Sequence, residues 1–281
     1  MINYYLIMKP GIILGNLITF AAGFLLASKG IINMKLFFAT LLGLAFIIAA
    51  ACIFNNYIDR NLDKKMQRTR DRALATQKIK ASNAIALAIL LAFLGNATLF
   101  IYTNILTVLV TNIGFSVYVF LYSFLKSSTS YSTLIGSISG AIPPVIGYCA
   151  VSNQFDSAAA ILFLIMIFWQ MPHFFAIGLW HIDDYSKADI PILPVSEGAQ
   201  KTKIHMVLYI LFLIPILGLL TLFGYTGYLF LSLTSLIGCV WLFYCFKGFK
   251  TNCDKQWGRQ MFRQSLVMIN TICIVLPFDL V

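Results

Sequence analysis

Long apolar runs separated by short polar stretches dominate the chain. Nine of these runs come close to the roughly twenty residues that a helix needs to cross the hydrocarbon core of a bilayer. They predict spans at residues 10–28, 36–54, 82–102, 105–125, 134–151, 158–180, 204–223, 225–246 and 261–279. The thinnest division lies between the third and fourth, where only Thr103 and Asn104 intervene. The two longest polar stretches, 55–81 and 181–203, follow spans two and six, four helices apart and on one side. The expected fold class is all-α: a polytopic membrane helical bundle, one domain over 1–281, with nine transmembrane helices around a central cavity.

Bases decide the orientation. With the N-terminus inside, eighteen of the twenty Lys and Arg residues lie on the cytoplasmic side and only Lys29 and Lys35 lie outside. Such asymmetry predicts N-in and C-out. Eight of the ten acids fall on the same inner side, leaving Asp156 and Asp279 outside, so charge of both signs gathers on one face.

Composition agrees: 60% of residues are apolar, 11% are charged and the mean hydropathy is +0.86, values foreign to a soluble domain. The net charge of +10 does not point to nucleic acid, because the bases sit in short loops between spans. Six cysteines are scattered without a CxxC pair and are expected as packing residues rather than disulfides or metal ligands. The first apolar run leads into a second instead of a small-residue cleavage site, so no cleaved leader is expected.

The densest chemistry follows span two, as NNYIDRNLDKKMQRTRDR from Asn55 to Arg72. If the helix continues into this stretch, Asn55, Asp59 and Asp63 recur at i, i+4 and share one face. Oxygen donors at that pitch suit Mg²⁺, which keeps several waters and is completed by substrate phosphates. Lys64, Lys65, Arg68, Arg70 and Arg72 follow as phosphate partners. A solvated loop that only fixes topology is the plainer alternative, yet topology has no use for the aspartates.

Span five holds Gly136, Gly140, Pro143, Pro144 and Gly147, which permit close helix approach and a kink. Span six ends in FWQMPHFFAIGLW. A histidine within a span is a functional hypothesis by default: His173, with Trp169 and Gln170 beside it, suits a haem iron or a polar substrate, and equally a contact to a neighbouring helix. His181 and His205 read as interfacial. The second polar loop, HIDDYSKADIPILPVSEG from His181, offers Asp183, Asp184, Tyr185 and Lys187, although its acids do not form a DxxxD pair.

Taken together, NNYIDRNLDKKMQRTRDRAL, FWQMPH and DYSKADIPILPV resemble the UbiA-type intramembrane prenyltransferases, and within them the haem-farnesylating branch, the haem O synthases. The nine-span layout extends the resemblance over nearly the whole chain. It departs in two places: Asn56 stands where many relatives have aspartate, and Asp189 interrupts an AGIP turn. The first departure implies a weaker metal site that leans on Asp59 and Asp63. The second favours Asp184, Tyr185 and Lys187 over Asp183 and Asp189.

The resemblance implies transfer of farnesyl from farnesyl diphosphate to a vinyl group of haem b, with water supplying a hydroxyl. It assigns Mg²⁺ to Asn55, Asp59, Asp63 and Asp184. Diphosphate falls to Arg60, Lys64, Arg68, Arg72 and Lys187, and haem to His173, Trp169 and Gln170. Tyr185 joins the catalytic set, and Tyr57, Phe168, Trp169 and Tyr185 offer aromatic faces to a carbocation. It further implies a bacterial plasma membrane enzyme with a cytoplasmic active site, in contact with lipid and with a haem A synthase or a terminal oxidase as possible partners. The rivals are an aromatic prenyltransferase of quinone synthesis, which has no use for His173; a transporter, which would place charge at mid-span; and a non-catalytic assembly subunit, which leaves the aspartates unexplained.

Overall fold

The computed structural model describes residues 2–281. Among these, nine helices are long and apolar enough to span a membrane: α1 (Pro10–Ser28), α2 (Met34–Asp63), α3 (Ala81–Tyr102), α4 (Ile105–Leu125), α5 (Ser132–Ser152), α6 (Ser157–Trp180), α7 (Gly198–Leu222), α8 (Tyr228–Lys250) and α9 (Asp254–Phe278). A short helix, Ile2–Ile7, precedes them, and two more, Ile182–Lys187 and Leu193–Ser196, lie between α6 and α7.

The span count and order match the apolar runs, but three helices outrun them by six residues or more. α2 continues past residue 54 to Asp63, α7 begins at Gly198 rather than 204, and α9 begins at Asp254 rather than 261. Hydropathy marks where lipid would end, whereas a helix ends where a Gly, a Pro or a cap stops it. Nothing between Asn55 and Asp63 does so. The two-residue turn between α3 and α4 is held by Asn104. Its Oδ1 accepts from the Thr107 N–H at 2.9 Å, and its Nδ2 donates to the Cys149 carbonyl of α5 at 2.8 Å.

α5 is the central helix, buried at every position from Ala141 to Ala150. Its glycine and proline content has a packing cause. A Cβ at Gly147 would overlap the Phe20 carbonyl of α1, and one at Gly23 would overlap the Pro144 carbonyl, so α1 and α5 meet backbone to backbone. α6 packs on the far side of α5, with Gln170 seated directly on Gly140. The outward faces of α3, α4 and α8 keep large apolar residues such as Phe93, Phe120 and Phe243 exposed. In a bilayer these would meet acyl chains.

The two polar loops meet. Met66 packs with Ala188 and Ile190 in a small cluster against Tyr185 and Ile192, and both Asp184 oxygens accept backbone N–H groups of the first loop. A cavity of about 800 Å³ opens beneath this junction, walled by α1, α2, α4, α5, α6 and α9.

Candidate functional site

Because α2 stays helical, Asn55, Asp59 and Asp63 stand one above another on a single face, and all three line the cavity. Each is buried and held by a polar group from another segment. Lys9 Nζ donates to Asn55 Oδ1 at 2.7 Å. Lys126 forms an ion pair with Asp59, and Arg72 donates to both oxygens of Asp63 at 2.9 and 3.1 Å. Asp59 Oδ1 has no hydrogen-bond partner among the described residues. A buried carboxylate oxygen left in that condition is costly unless something else takes it up. The donors on this face are hard oxygens, so their chemistry fits a divalent cation such as Mg²⁺.

Two of these cations were read in the sequence only as topology charges. Lys9 occupies the left-handed turn (φ 54°) between the short N-terminal helix and α1, and loss of hydration pushes its ammonium down to about 8. Lys126 closes α4 through a π-helical segment, Val117–Tyr122. That wider turn brings Tyr118 and Tyr122 to the cavity, stacked at 5.4 Å and 19°, and lets Ser123 accept from Asn55 Nδ2 at 3.2 Å. The sequence signal for this group was the i, i+4, i+8 spacing of Tyr118, Tyr122 and Lys126, a polar stripe on an otherwise greasy helix.

Several expected residues point elsewhere. Asp184 spends both oxygens on the Gln67 and Arg68 N–H groups, at 3.0 and 3.3 Å. It therefore positions the turn that carries Arg68 and does not enter the cavity, because unpaired backbone donors in that turn compete for the carboxylate. Arg60 lies one residue past Asp59, about 100° around the helix. Its guanidinium covers the Tyr57 ring at 4.2 Å and donates to the Tyr57 carbonyl, so neither residue lines the cavity. Lys64 leaves the ladder face by the same offset and is exposed, as is Lys187. Phe168 packs against Tyr209 at 5.6 Å, away from the cavity. Arg68, Arg72 and Tyr185 do line it.

Asn56 corrects a further expectation. Its Nδ2 donates to the Ile7 carbonyl at 2.7 Å, and its side chain does not line the cavity. It ties down the N-terminal helix, a role that requires an amide donor, and a carboxylate there would not have joined the metal oxygens.

On the opposite wall, α6 and α9 present aromatic surface. Trp169 stacks on His173 with centroids 4.8 Å apart, and Trp169 Nε1 donates to the Ser265 carbonyl of α9 at 2.7 Å. His173 Nδ1 and Ser265 Oγ are 2.6 Å apart, while Nε2 has no partner among the described residues. Gln170 is committed to packing, donating to the Ser137 and Met166 carbonyls at 3.2 and 3.1 Å.

The model of the UbiA prenyltransferase family matches residues 16–267. The chain belongs to that family. Among curated relatives of this prenyltransferase, a protoheme IX farnesyltransferase from Protochlamydia amoebophila is 54% identical, with 100% of each chain covered. Protoheme IX farnesyltransferase 1 from Shewanella frigidimarina is 45% identical, covering 99% of this chain and 92% of the relative. Solved structures share the UbiA fold at low identity. A digeranylgeranylglyceryl phosphate synthase aligns with a TM-score of 0.82 at 17% identity, covering 99% of this chain and 97% of that one. A UbiA homologue from Archaeoglobus fulgidus bound to GPP and Mg²⁺ aligns with a TM-score of 0.70 at 16% identity, covering 98% and 99%.

Proposed function

We propose that the chain transfers the farnesyl group of farnesyl diphosphate to a vinyl group of haem b, with addition of water, releasing diphosphate and haem O. One observation carries this reading: end-to-end identity of 54% with a protoheme IX farnesyltransferase. The cavity is chemically consistent with it, having an ionic end on α2 and an aromatic wall on α6 and α9.

The ionic end takes the diphosphate. Lys9, Arg68, Arg72 and Lys126 line it and can follow the growing negative charge as the allylic C–O bond breaks. Asn55, Asp59 and Asp63 would hold Mg²⁺, whose positive charge, when bound, makes diphosphate a better leaving group. Asp184 and Asn56 act at one remove, fixing the turn of Arg68 and the segment of Lys9. Apolar residues of α1 and α2 such as Ile12, Leu44 and Ile47 line the cavity beside the ionic end and shield the farnesyl chain from water. Tyr118, Tyr122 and Tyr185 offer ring faces to the allylic cation before the vinyl carbon attacks it. His173, anchored through Nδ1, presents Nε2 as a ligand or hydrogen-bonding group for the haem.

The ionic end faces the cytoplasm of a bacterial cell, with the N-terminus inside. The support is the charge asymmetry of eighteen bases against two.

The test is to incubate purified protein with haem b, farnesyl diphosphate and Mg²⁺ and to analyse the extracted haem by mass spectrometry. The expected product has gained one farnesyl group and one hydroxyl, the remaining proton of water leaving with diphosphate, and Asp59→Ala protein gives about a thousandth as much. Unmodified haem together with prenylation of a hydroxybenzoate would overturn this reading in favour of quinone synthesis.

A further inference from the structure

The aromatic wall does not stop at the cavity. From Trp169 and His173 it runs through Phe262, 5.0 Å from the His173 ring, to Trp180, 5.7 Å from Phe262, and on to His181, stacked on Trp180 at 4.4 Å. Trp169 and Trp180 lie about three turns apart on one side of α6, so the rings form a continuous strip rising from the membrane interior to the polar end.

Two arginines stand at the top of this strip. On α9 the cavity is lined by Phe262, Leu266, Ile269 and Asn270. Arg259 and Arg263 lie three and seven residues before Phe262 and Asn270 respectively, spacings that place both on the same helical face. The guanidinium of Arg259 sits 5.3 Å over the Trp180 ring. Both arginines are exposed, and neither forms an ion pair among the described residues. The acids closest to them in sequence and loop position are already taken: Asp254 by Lys203 at 2.6 Å, and Asp183 by Lys255. The diphosphate end contrasts with this, since its Arg72 and Lys126 are both paired with carboxylates.

We infer that Arg259 and Arg263 bind the two propionate carboxylates of the haem acceptor, whose macrocycle lies along the Trp169–His173–Phe262–Trp180 strip. This rests on the haem acceptor proposed above. A porphyrin is a flat aromatic plate with two carboxylates on one edge. The strip supplies an aromatic surface for the plate, and the two forked cations supply charge-assisted hydrogen bonds for the edge. Fixing the propionate edge at the start of α9 turns the vinyl-bearing part of the macrocycle inward, away from bulk water. The charges then act on orientation as well as on affinity.

The probe that isolates this role is haem dimethyl ester, which keeps the macrocycle and loses both carboxylates. Wild-type protein and the Arg259→Gln/Arg263→Gln double variant, each in phosphatidylcholine nanodiscs, are titrated with haem b and with the ester by Soret absorbance. Wild type is expected to bind haem b about tenfold or more tightly than the ester, the scale of a charge-assisted contact at a partly exposed site. The double variant is expected to lose that preference while binding the ester as wild type does, which also shows that it is folded. An Arg259→Lys/Arg263→Lys variant is expected to recover part of the preference. Equal affinity of wild type for both ligands overturns the inference, as does a preference that survives in the double variant. Weakened ester binding by the double variant overturns it too, since the arginines would then act on the fold or the stacking surface. Failure of wild type to bind either ligand would instead overturn the haem reading itself.

Discussion

The two walls of the cavity handle charge in opposite ways. On the α2 wall, Asp59 and Asp63 are each countered by a cation, and Asn55 is held by Lys9. On the α6–α9 wall, the polar contacts are local and neutral, such as Ser265 with His173 and with Trp169, and the two arginines at the rim have no carboxylate. Buried carboxylates need cations whether or not substrate is present, because desolvated like charges on one helix face would repel. An aromatic wall has no such demand. The first wall is thus built to manage high charge, and the second to receive a large flat molecule carrying a little charge at its edge.

Substitutions can break this contrast at graded cost. The largest effect is expected from Asp59→Ala, which removes a carboxylate from the diphosphate end; kcat for farnesyl transfer should fall by about 10³-fold, while haem b titration by Soret absorbance stays unchanged. Lys126→Met strands Asp59 without its cation, and burial makes that expensive. Stability should drop by about 3 kcal/mol, read as an earlier unfolding transition in detergent. Asn56→Asp should cost about 2 kcal/mol, because the Ile7 carbonyl loses its donor; limited proteolysis should then cut near residues 2–9 before the rest of the chain. On the other wall, His173→Ala should weaken haem affinity by about tenfold with the KM for farnesyl diphosphate unmoved. If His173→Ala instead raised that KM, the division of labour between the walls would be wrong.

The smallest effect concerns the exposed Asp183–Lys255 pair that joins the loop after α6 to the start of α9. The Lys255 ammonium holds the Asp183 carboxyl below its usual range. A depressed folded pKa stabilises the protein above the unfolded pKa, and this contribution disappears as pH falls through the folded value. Asp183→Asn should therefore change the unfolding temperature little at neutral pH and not at all in strong acid, since solvent and salt screen so exposed a pair.

Much of the fold could be read from hydropathy: nine helices in their observed order, the tight turn at Asn104, and close helix contact through span five. The ladder of Asn55, Asp59 and Asp63 was legible too, because a 3.6-residue period leaves i, i+4 residues no other face to occupy. The phosphate partners were less legible. Arg60 and Lys64 neighbour the aspartates in sequence, yet the same period turns them away by about 100°. Lys9 and Lys126 look like ordinary topology charges, and only the fold brings them to α2 from 46 and 67 residues away.

Asn56 and Asp184 show the same limit from the other side. Each belongs to a recognisable motif, but its role depends on which backbone groups lie opposite, the Ile7 carbonyl for one and the Gln67 and Arg68 N–H groups for the other. By itself the sequence determined the membrane class, the helix count, the acidic face and the family, since these follow from composition, local periodicity and contiguous motifs. Tertiary structure alone decided which cations meet the carboxylates, which motif residues serve as anchors, and that α6 and α9 share one aromatic wall. Those outcomes depend on contacts between segments far apart in the chain, and neither hydropathy nor helical period carries information about them.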